Sequence, residues 1–515
     1  MRRIGRAQQG HRGRLRAAPG VPGLDRLLLR SADRAGGGGA SRRPVTGRQS
    51  NGDGTPSRLL ACRSDLKALE KMMDTIVVGA GIAGITAARL FHAAGPRVVV
   101  LEARDRVGGR IWTDRTAGFS VDRGASWIHG LTGNPLTGLV AALEMETREF
   151  TVGSFQAGGR PIADYDESRR LLDDDATQQW TIDVDTADDL FRLTAAASGH
   201  DESYATAAER ALAATGWEPE RAERVRAFYR HRTEEQCGAE VEQVAAHALD
   251  EDSIEGDEVI FPGGYDVLPR TLARGLDVRP GMTVTAITRS ATGVRVDTED
   301  ESFEAAHVIV TVPLGVLKAG AIEFRPPLPD AVAGPIARLG MGVFNKVFLR
   351  FPDRFWQDDV YAIRQHGRVG VPWHSWYDVS VVSGRPMLLT FAGGAWGREI
   401  EQKTDEEVVS SVLGALREIY GDSVPEPVAH WITRWGIDPL ALGSYSYVAV
   451  GSSHDDHDAM AGPVDGVLHF AGEATWGREP ATVHGALRSG HRAAERILGS
   501  PISLAELTRG VRPSR

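Results

Sequence analysis

Four residues near the start of the chain have the types and spacing that bind a dinucleotide. Gly79, Gly81 and Gly84 form a GxGxxG pattern, and Glu102 follows 18 residues after the last of them. The first glycine permits a tight turn, the second lets the backbone approach a pyrophosphate, and the third allows a helix to pack closely on a sheet. A carboxylate at Glu102 can accept hydrogen bonds from ribose hydroxyls. The pattern leaves open which dinucleotide binds.

A strand, a helix and a second strand are needed to position these residues. An apolar run from Thr75 to Val78 precedes the glycines, an alanine-rich helical pattern follows them, and a second apolar run at 98–101 ends at the acid. The start of such a helix presents free N–H groups and the positive end of its dipole to phosphates. Because all of these parts occur in register, chance is a poor explanation of the pattern.

The residues after the acid narrow the choice of dinucleotide. Arg104 is followed by Gly108, Gly109 and Arg110. Nicotinamide enzymes do not need a second glycine pair and an arginine here, whereas a cofactor that lies extended through the protein needs additional partners. The string 74–110 resembles the FAD site of the flavin-containing amine oxidases, the family of monoamine oxidases, polyamine oxidases and lysine-specific histone demethylases. Further motifs match this family in order and spacing as far as about residue 498.

The segment 124–130, GASWIHG, places small residues on both sides of Trp127. Such a segment suits backbone that lies close to a flat ring, although it also fits a glycine-rich turn that packs its tryptophan into the core. It closely resembles the loop of polyamine oxidases that passes beside the flavin. The resemblance implies that His129 lines the substrate tunnel, whereas alone it would be an ordinary loop histidine with satisfied hydrogen bonds.

Lys346 and its neighbour Asn345 form a polar pair inside an apolar strand pattern. Lysine is expensive to bury, so Lys346 either extends to solvent at a strand edge or is placed there for a purpose. In the family, the matching lysine holds a water molecule against flavin N5. Such a lysine could orient the water and favour reduction of oxygen by its charge.

The segment 431–447 is rich in aromatic residues, and we expect Trp435 to serve largely as core. The resemblance implies that Tyr445 is one wall of an aromatic cage, where cation–π and apolar contacts favour an amine. The second wall, a tyrosine in monoamine oxidases, is here Thr482, as in the histone demethylases. Ser444 stands where monoamine oxidases have the cysteine that tethers the flavin. We therefore expect FAD to be bound without a covalent bond.

The resemblance also assigns residues of the last strand and helix to the cofactor. It implies that Glu473 accepts ribityl or ribose hydroxyls, although a surface acid at a strand end is the alternative, and that the N–H of Val483 hydrogen-bonds flavin O2. The backbone of Val284 would contact the adenine. The predicted catalytic set is His129, Lys346, Tyr445 and Thr482. The predicted FAD-binding set is Gly79, Ala80, Gly81, Gly84, Glu102, Arg104, Gly109, Arg110, Gly124, Ala125, Ser126, Trp127, Val284, Trp435, Gly472, Glu473 and Val483.

The amino-acid composition limits which classes of protein this chain can belong to. Residues 1–71 contain 16 Lys and Arg against five Asp and Glu, whereas the whole chain has a net charge of −10. This basic start is rich in Gly and lacks periodicity, so we expect a disordered extension that is not necessarily part of the natural product. Two cysteines exclude a disulfide framework and a cysteine-rich metal site and fit a reducing, cytoplasmic location. No apolar run is long enough for a membrane span.

The scattered cofactor motifs predict an α/β fold in which a Rossmann-type FAD-binding domain is interleaved with a mixed-sheet and helical substrate domain. We expect the FAD-binding domain at 72–150, 261–318 and 441–499. We expect the substrate domain at 151–260, which reads as mostly helical, and at 319–440. Residues 500–515 read as a flexible tail.

The resemblance implies amine oxidation. A hydride equivalent passes from the carbon beside the amine nitrogen to flavin N5, and O2 reoxidises the flavin to give hydrogen peroxide. A polyamine is the first choice of substrate because the acidic excess beyond residue 71 attracts polycations. A monoamine comes second, and an amino acid, which needs an arginine for its carboxylate, comes third. A dehydrogenase or a non-catalytic FAD-binding protein is the alternative class. No metal, nucleic acid or membrane partner is expected, and the oligomeric state stays open.

Overall fold

The structure, a computed structural model, describes residues 73–151, 161–249, 255–367 and 372–511. The basic extension predicted at 1–71 and the last residues of the predicted tail lie outside the described residues.

The strands are numbered in chain order. They are β1 (Met73–Val78), β2 (Val98–Leu101), β3 (Thr113–Asp114), β4 (Val121–Asp122), β5 (Trp127–Ile128), β6 (Arg148–Glu149), β7 (Ile162–Tyr165), β8 (Val259–Ile260), β9 (Val278–Arg279), β10 (Val284–Ser290), β11 (Gly293–Thr298), β12 (Ser302–Val310), β13 (Glu323–Arg325), β14 (Gly340–Gly342), β15 (Phe344–Arg350), β16 (Ala362–Gln365), β17 (Ser375–Asp378), β18 (Met387–Gly393), β19 (Ala429–Ile432), β20 (Tyr445–Tyr447) and β21 (Leu468–Phe470).

The helices alternate with these strands. They are α1 (Ile82–Ala94), α2 (Pro135–Ala142), α3 (Asp174–Ala196), α4 (Tyr204–Thr215), α5 (Pro219–Cys237), α6 (Val267–Leu272), α7 (Leu314–Lys318), α8 (Asp330–Arg338), α9 (Ser380–Ser383), α10 (Gly394–Ile400), α11 (Asp405–Tyr420), α12 (His454–Met460) and α13 (Val483–Leu498).

An eight-stranded sheet joins segments from the start, middle and end of the chain. Its order is β13-β10-β11-β12-β1-β2-β9, and β21 pairs with β12. Strand β1 is parallel to β2 and β12, and β12 is parallel to β21. The carboxyl ends of these four strands therefore meet at one edge, which is where open α/β sheets bind ligands. The predicted α/β class, with a Rossmann-type unit built from separated segments, is confirmed.

Helix α1 lies at the centre of this unit and is buried from Ile82 to Phe91. Helix α13 crosses it at very short range, since a β-carbon on Gly490 would lie 2.1 Å from the carbonyl oxygen of Ala83. Small residues on both helices permit this approach. The contact therefore ties the start of α1 to the last helix of the described chain.

A six-stranded sheet carries the second part of the molecule. Its order is β19-β15-β18-β17-β16-β7, antiparallel except for the β16–β7 pair. Asn345 and Lys346 are consecutive in β15 and both are buried, so their side chains project from opposite faces. Helices α3, α4 and α5 share a core of their own, and α5 also packs against β15 and β18.

The predicted elements agree closely with the observed ones. Strands β10 and β11 form an antiparallel hairpin, and the helical reading of 151–260 corresponds to α3, α4 and α5. Strand β12 ends at Val310. Pro313, which has no N–H to donate, follows closely and begins the turn into α7.

The predicted flexible tail differs from the structure in its described part. Residues Leu504–Thr508 form a 3₁₀ turn, and Leu507 is fully buried beside α1. Burial of this apolar side chain offsets the entropy of ordering the segment. Over the described ranges, no helix combines the length and hydropathy needed to cross a membrane.

Candidate active site

A cavity of about 1380 Å³ begins at the carboxyl edge of the eight-stranded sheet and extends to the six-stranded sheet. Its walls come from the turns after β1, β2, β12 and β21, from β15 and α5, and from the start of α13. Ordinary small-molecule pockets measure roughly 300–1,000 Å³. The cavity therefore has room for a dinucleotide together with a substrate.

Most of the predicted site residues line this one cavity, although they come from distant parts of the chain. The four predicted catalytic residues and the predicted cofactor residues other than Ala80 and Gly84 lie in its wall. Ala80 and Gly84 instead shape the turn behind the wall. The structure thus brings the set together, while the role of each residue stays a prediction.

The glycine turn forms a cradle for a phosphate-bearing group. Gly79 has a φ of +103°, and a β-carbon on Gly84 would lie 2.0 Å from the Gly79 carbonyl oxygen. No atom lies within 4 Å of the place where a β-carbon on Gly81 would sit, so this side of the backbone is open to the cavity. Gly81 also precedes the first residue of α1, whose free N–H groups suit a pyrophosphate.

Glu102 directly follows β2, and backbone N–H groups from the turns after β1 and β2 hold its carboxylate in place. Its two carboxylate oxygens accept hydrogen bonds from Ala80 N at 2.6 Å and from Arg104 N at 2.8 Å. Each oxygen keeps a second lone pair, so the carboxylate can still accept ribose hydroxyls. The guanidinium of Arg104 pairs with Asp438 at 2.8 Å.

Glu473 is a buried acid and not a surface one. Its Oε1 accepts from Arg110 Nη1 at 2.7 Å, and its Oε2 accepts from the Ser446 hydroxyl at 2.5 Å and from Ala481 N at 3.1 Å. Burial opposes ionisation, but Arg110 and Ser446 outweigh it and lower the pKa of Glu473. The carboxylate therefore joins the turn after β21 to β20 and to the residues before α13.

Lys346 is buried, and its amine donates hydrogen bonds to the end of β4 and to the loop that follows it. Nζ donates to the carbonyl oxygen of Gly124 at 2.6 Å, to that of Asp122 at 3.1 Å, and to Ser126 Oγ. It also lies 5.3 Å from the centre of the Trp127 ring. Burial lowers the pKa of Lys346, and the charge of Asp122 opposes this shift. The lysine thus positions the loop and places a titratable amine in the cavity wall.

Asn345, which precedes Lys346 in β15, forms its hydrogen bonds on the other face of the sheet. Its amide donates to Glu401 Oε1 at 2.9 Å and accepts from Trp435 N at 2.9 Å. Trp435 is almost fully buried and meets Trp112 edge to face at 6.1 Å, while it also lines the cavity. Lys346 therefore holds the loop at Gly124, and Asn345 holds the segment at Trp435, and both segments line the cavity.

Tyr445 and Thr482 differ in what their hydroxyls do. The Tyr445 hydroxyl donates to the carbonyl oxygen of Glu235 at 2.7 Å, which holds the ring against the cavity. Thr482 caps α13, because its Oγ1 accepts from Gly485 N at 3.0 Å and donates to Glu479 O at 2.8 Å. The Thr482 hydroxyl is thus engaged in capping. Val483 is the first residue of the helix, so its N–H has no partner within α13.

His129 lies in the same wall and is paired with a buried acid. Its Nδ1 hydrogen-bonds Glu258 Oε1, and its ring is nearly parallel to that of Trp127, with centres 6.3 Å apart. Burial lowers the pKa of the nearby His484 to about 4, so this neighbour is neutral at neutral pH. The histidine is therefore positioned by an acid that the sequence pattern did not single out.

Sequence reasoning also missed a polar group farther into the cavity. Glu235, Arg364, His374 and Tyr377 all line it. His374 Nε2 lies 3.0 Å from Glu235 Oε1, and this contact helps to lower the pKa of Glu235 despite its burial. Glu235 comes from α5, Arg364 from β16 and Tyr377 from β17, while His374 immediately precedes β17, and only the packing of α5 on the sheet brings them together. No local sequence signal marks them.

Comparison with known proteins agrees with this geometry. The family model described as "Flavin containing amine oxidoreductase" matches residues 82–498. "Polyamine oxidase 2" of Arabidopsis thaliana is 35% identical, with 82% of this chain and 87% of the relative covered. "Lysine-specific histone demethylase 2" of Homo sapiens is 33% identical, and the match covers 82% of this chain but 53% of that protein.

A solved structure supports the fold alone. It is a variant of putrescine oxidase with redesigned cofactor binding, and it superposes with a TM-score of 0.67. The sequence identity is 23%, and the match covers 83% of this chain and 99% of that one. The overall arrangement of elements is therefore shared at a low level of sequence identity.

Proposed function

This chain belongs to the flavin containing amine oxidoreductase family, and we propose that it oxidises a polyamine. Its cofactor is FAD. One observation carries the finer proposal. The Glu235 carboxylate, whose pKa is lowered, lines the cavity next to Tyr445, whose hydroxyl bonds the Glu235 backbone. A negative charge beside an aromatic wall suits a cationic amine chain.

The residues of the glycine turn fit FAD. The open backbone at Gly81 suits its pyrophosphate, Glu102 its ribose, and Val284 its adenine. When bound, FAD supplies the oxidising ring, which takes a hydride equivalent from the carbon beside the amine nitrogen and leaves an imine that hydrolyses to an aldehyde. Ser444 has its hydroxyl engaged with the backbone of Phe344, and we propose that the cofactor is held without a covalent bond.

Side chains in the cavity wall would orient the substrate amine and stabilise the charge that develops during electron transfer. Tyr445 and Trp127 offer aromatic faces that exclude water and orient a C–H bond. His129 lies in the same wall, and its hydrogen bond to Glu258 fixes the orientation of its ring. Lys346 holds the loop beside the ring, and its positive charge would favour the transfer of electrons to O2 that yields hydrogen peroxide. The proposed partners are a small amine and O2, and the proposed location is the cytoplasm.

A second candidate is an amine that carries a carboxylate, such as an L-amino acid. Sequence reasoning found no arginine for that carboxylate, but the structure places Arg364 in the cavity wall. Burial opposes the charge of Arg364, but Tyr377, Glu235 and Asp164 outweigh it and raise the pKa of Arg364. Glu235 and Arg364 offset each other's charge, and we favour a basic substrate because the aromatic ring of Tyr445 lines the same cavity.

An anaerobic visible absorption spectrum tests the proposal directly. Spermine should bleach the flavin band, and admission of air should restore it with release of hydrogen peroxide. Bleaching by a monoamine or an L-amino acid but not by spermine would replace the polyamine with that substrate. Bleaching that O2 does not reverse would indicate a dehydrogenase, and a folded protein that binds no FAD would refute the whole assignment.

The role of Glu235 has its own test. Glu235→Gln should raise the KM for spermine by at least about tenfold, because one charge-assisted contact is lost. The matched control is Glu220→Gln at an exposed position of the same helix, which should leave KM unchanged. Equal KM values for the two variants would remove Glu235 from substrate recognition.

A further inference from the structure

Two histidines and a glutamate meet where helix α5 packs against the six-stranded sheet. His231 and Glu234 lie on α5 about one turn apart, and His374 immediately precedes β17. One ligand atom from each of these three side chains lies within 4.8 Å of the other two. Two imidazoles and a carboxylate are a donor set that binds divalent transition-metal ions.

His374 is oriented as metal-binding histidines are. Its Nε2 lies 3.0 Å from Glu235 Oε1, whereas its buried Nδ1 has no hydrogen-bond partner. A carboxylate that accepts one ring N–H fixes the tautomer and leaves the lone pair of the opposite nitrogen available. The His374 side chain is only 6% exposed, so this unpartnered nitrogen is costly unless a ligand satisfies it.

We infer that His231, Glu234 and His374 bind a divalent transition-metal ion, with Zn²⁺ as the representative, and that Glu235 positions His374. The rings of His231 and His374 are stacked, with centres 3.6 Å apart and planes 7° from parallel. Because zinc lies near the plane of each ligating imidazole, at about 2.0–2.1 Å from nitrogen, at least one ring turns when the ion binds. Both histidines line the cavity, so an ion can reach the site from it.

This site goes beyond amine oxidation and does not depend on it. No metal site was expected from the sequence, because the two histidines are distant in the chain and neither occurs in a metal-binding motif. An ion here would link α5 to the six-stranded sheet. It would therefore both stabilise the fold and narrow the part of the cavity that holds Glu235.

Calorimetric titration of the FAD-loaded, chelator-treated protein with ZnCl₂ tests the inference. We expect one tight site per chain, weakened at least tenfold in Glu234→Gln and in His374→Gln. Glu235→Gln, which alters the group that positions His374, should weaken binding by about 10–100-fold. The control is His430→Gln, at an exposed histidine that lies 3.5 Å from Asp405, and it should bind zinc as the wild type does.

A second measurement keeps the test decisive if a variant fails to fold. X-ray absorption at the zinc edge of the wild-type protein should show scattering from two imidazoles. Absence of tight binding in the wild type, equal affinity in all variants, or a zinc spectrum without imidazole would each overturn the inference.

Discussion

The amine of Lys346 lies 2.6 Å from the carbonyl oxygen of Gly124 and so joins the six-stranded sheet to the loop after β4. The lysine comes from the middle of an apolar strand, and the loop contains Ala125, Ser126 and Trp127. A single buried cation therefore sets the position of the wall that the cofactor is expected to face. This contact makes the lysine both a structural and an electrostatic element of the site.

We expect Lys346→Met to slow amine oxidation and flavin reoxidation by about 10²-fold while FAD stays bound, since the charge beside the ring is lost. Rapid-mixing absorption measures the two half-reactions separately. Lys403→Met, at a partly exposed surface position paired with Glu399, is the control and should leave both rates unchanged. Unaltered rates in Lys346→Met would remove the lysine from the mechanism.

The same lysine predicts a pH dependence. Because burial lowers its pKa, the amine loses its charge at a pH below the ordinary value of about 10.4. The rate of reoxidation should therefore fall as pH rises through the lowered pKa, since only the protonated form attracts electrons towards O2. Stopped-flow rates across pH 6 to 10 check this, and Lys346→Met should show no such fall. A fall that persists in the variant would assign the titration to another group.

The glycine turn predicts a steric effect. Gly84→Ala should destabilise the protein by about 1–3 kcal/mol and reduce FAD retention, because the new methyl group would meet the Gly79 carbonyl oxygen. Gly414→Ala, inside α11 and with no atom within 4 Å of the new β-carbon, should instead stabilise it by about 0.5–1 kcal/mol. Urea unfolding and the bound flavin fraction measure both changes. Similar effects at the two positions would contradict the packing argument.

The features that sequence could predict are local ones. The strands around the glycine turn and the closing helix depend on periodicity and on glycine spacing, both of which are visible within a few residues. The partner of Glu473, Arg110, lies 363 residues away, and nothing in the pattern specifies that pair. The group of Glu235, His374 and Arg364 likewise exists only because α5 packs across the sheet. Sequence reasoning therefore located the walls of the site but not the contacts that fix them.

The pair of Glu473 and Arg110 predicts an acid sensitivity. The folded-state pKa of Glu473 is lowered below its unfolded value of about 4.3, so its contribution to stability is fully present above that pH and is lost as pH falls through the folded pKa. Glu473→Gln should lower the free energy of unfolding by roughly 3 kcal/mol at pH 7 and reduce its dependence on pH below 4.3. Urea titrations from pH 3 to 7 measure this.

The control for this pair is Glu323→Gln, which breaks an exposed contact with Arg325 and should leave the free energy of unfolding nearly unchanged, because solvent screens an exposed pair. An acid dependence in Glu473→Gln that equals that of the wild type would assign the transition to other carboxyl groups.

Thr482 permits a test that separates helix capping from contact with the substrate. Thr482→Ala removes the hydroxyl that accepts from Gly485 N, and we expect a loss of about 1 kcal/mol in stability. Thr482→Ser keeps the cap and removes only the methyl group, so it should restore stability. If the residue also forms a wall of the amine pocket, the KM for spermine will change in Thr482→Ser although its unfolding curve matches the wild type. An unchanged KM together with wild-type stability in Thr482→Ser would limit the residue to its role in starting α13.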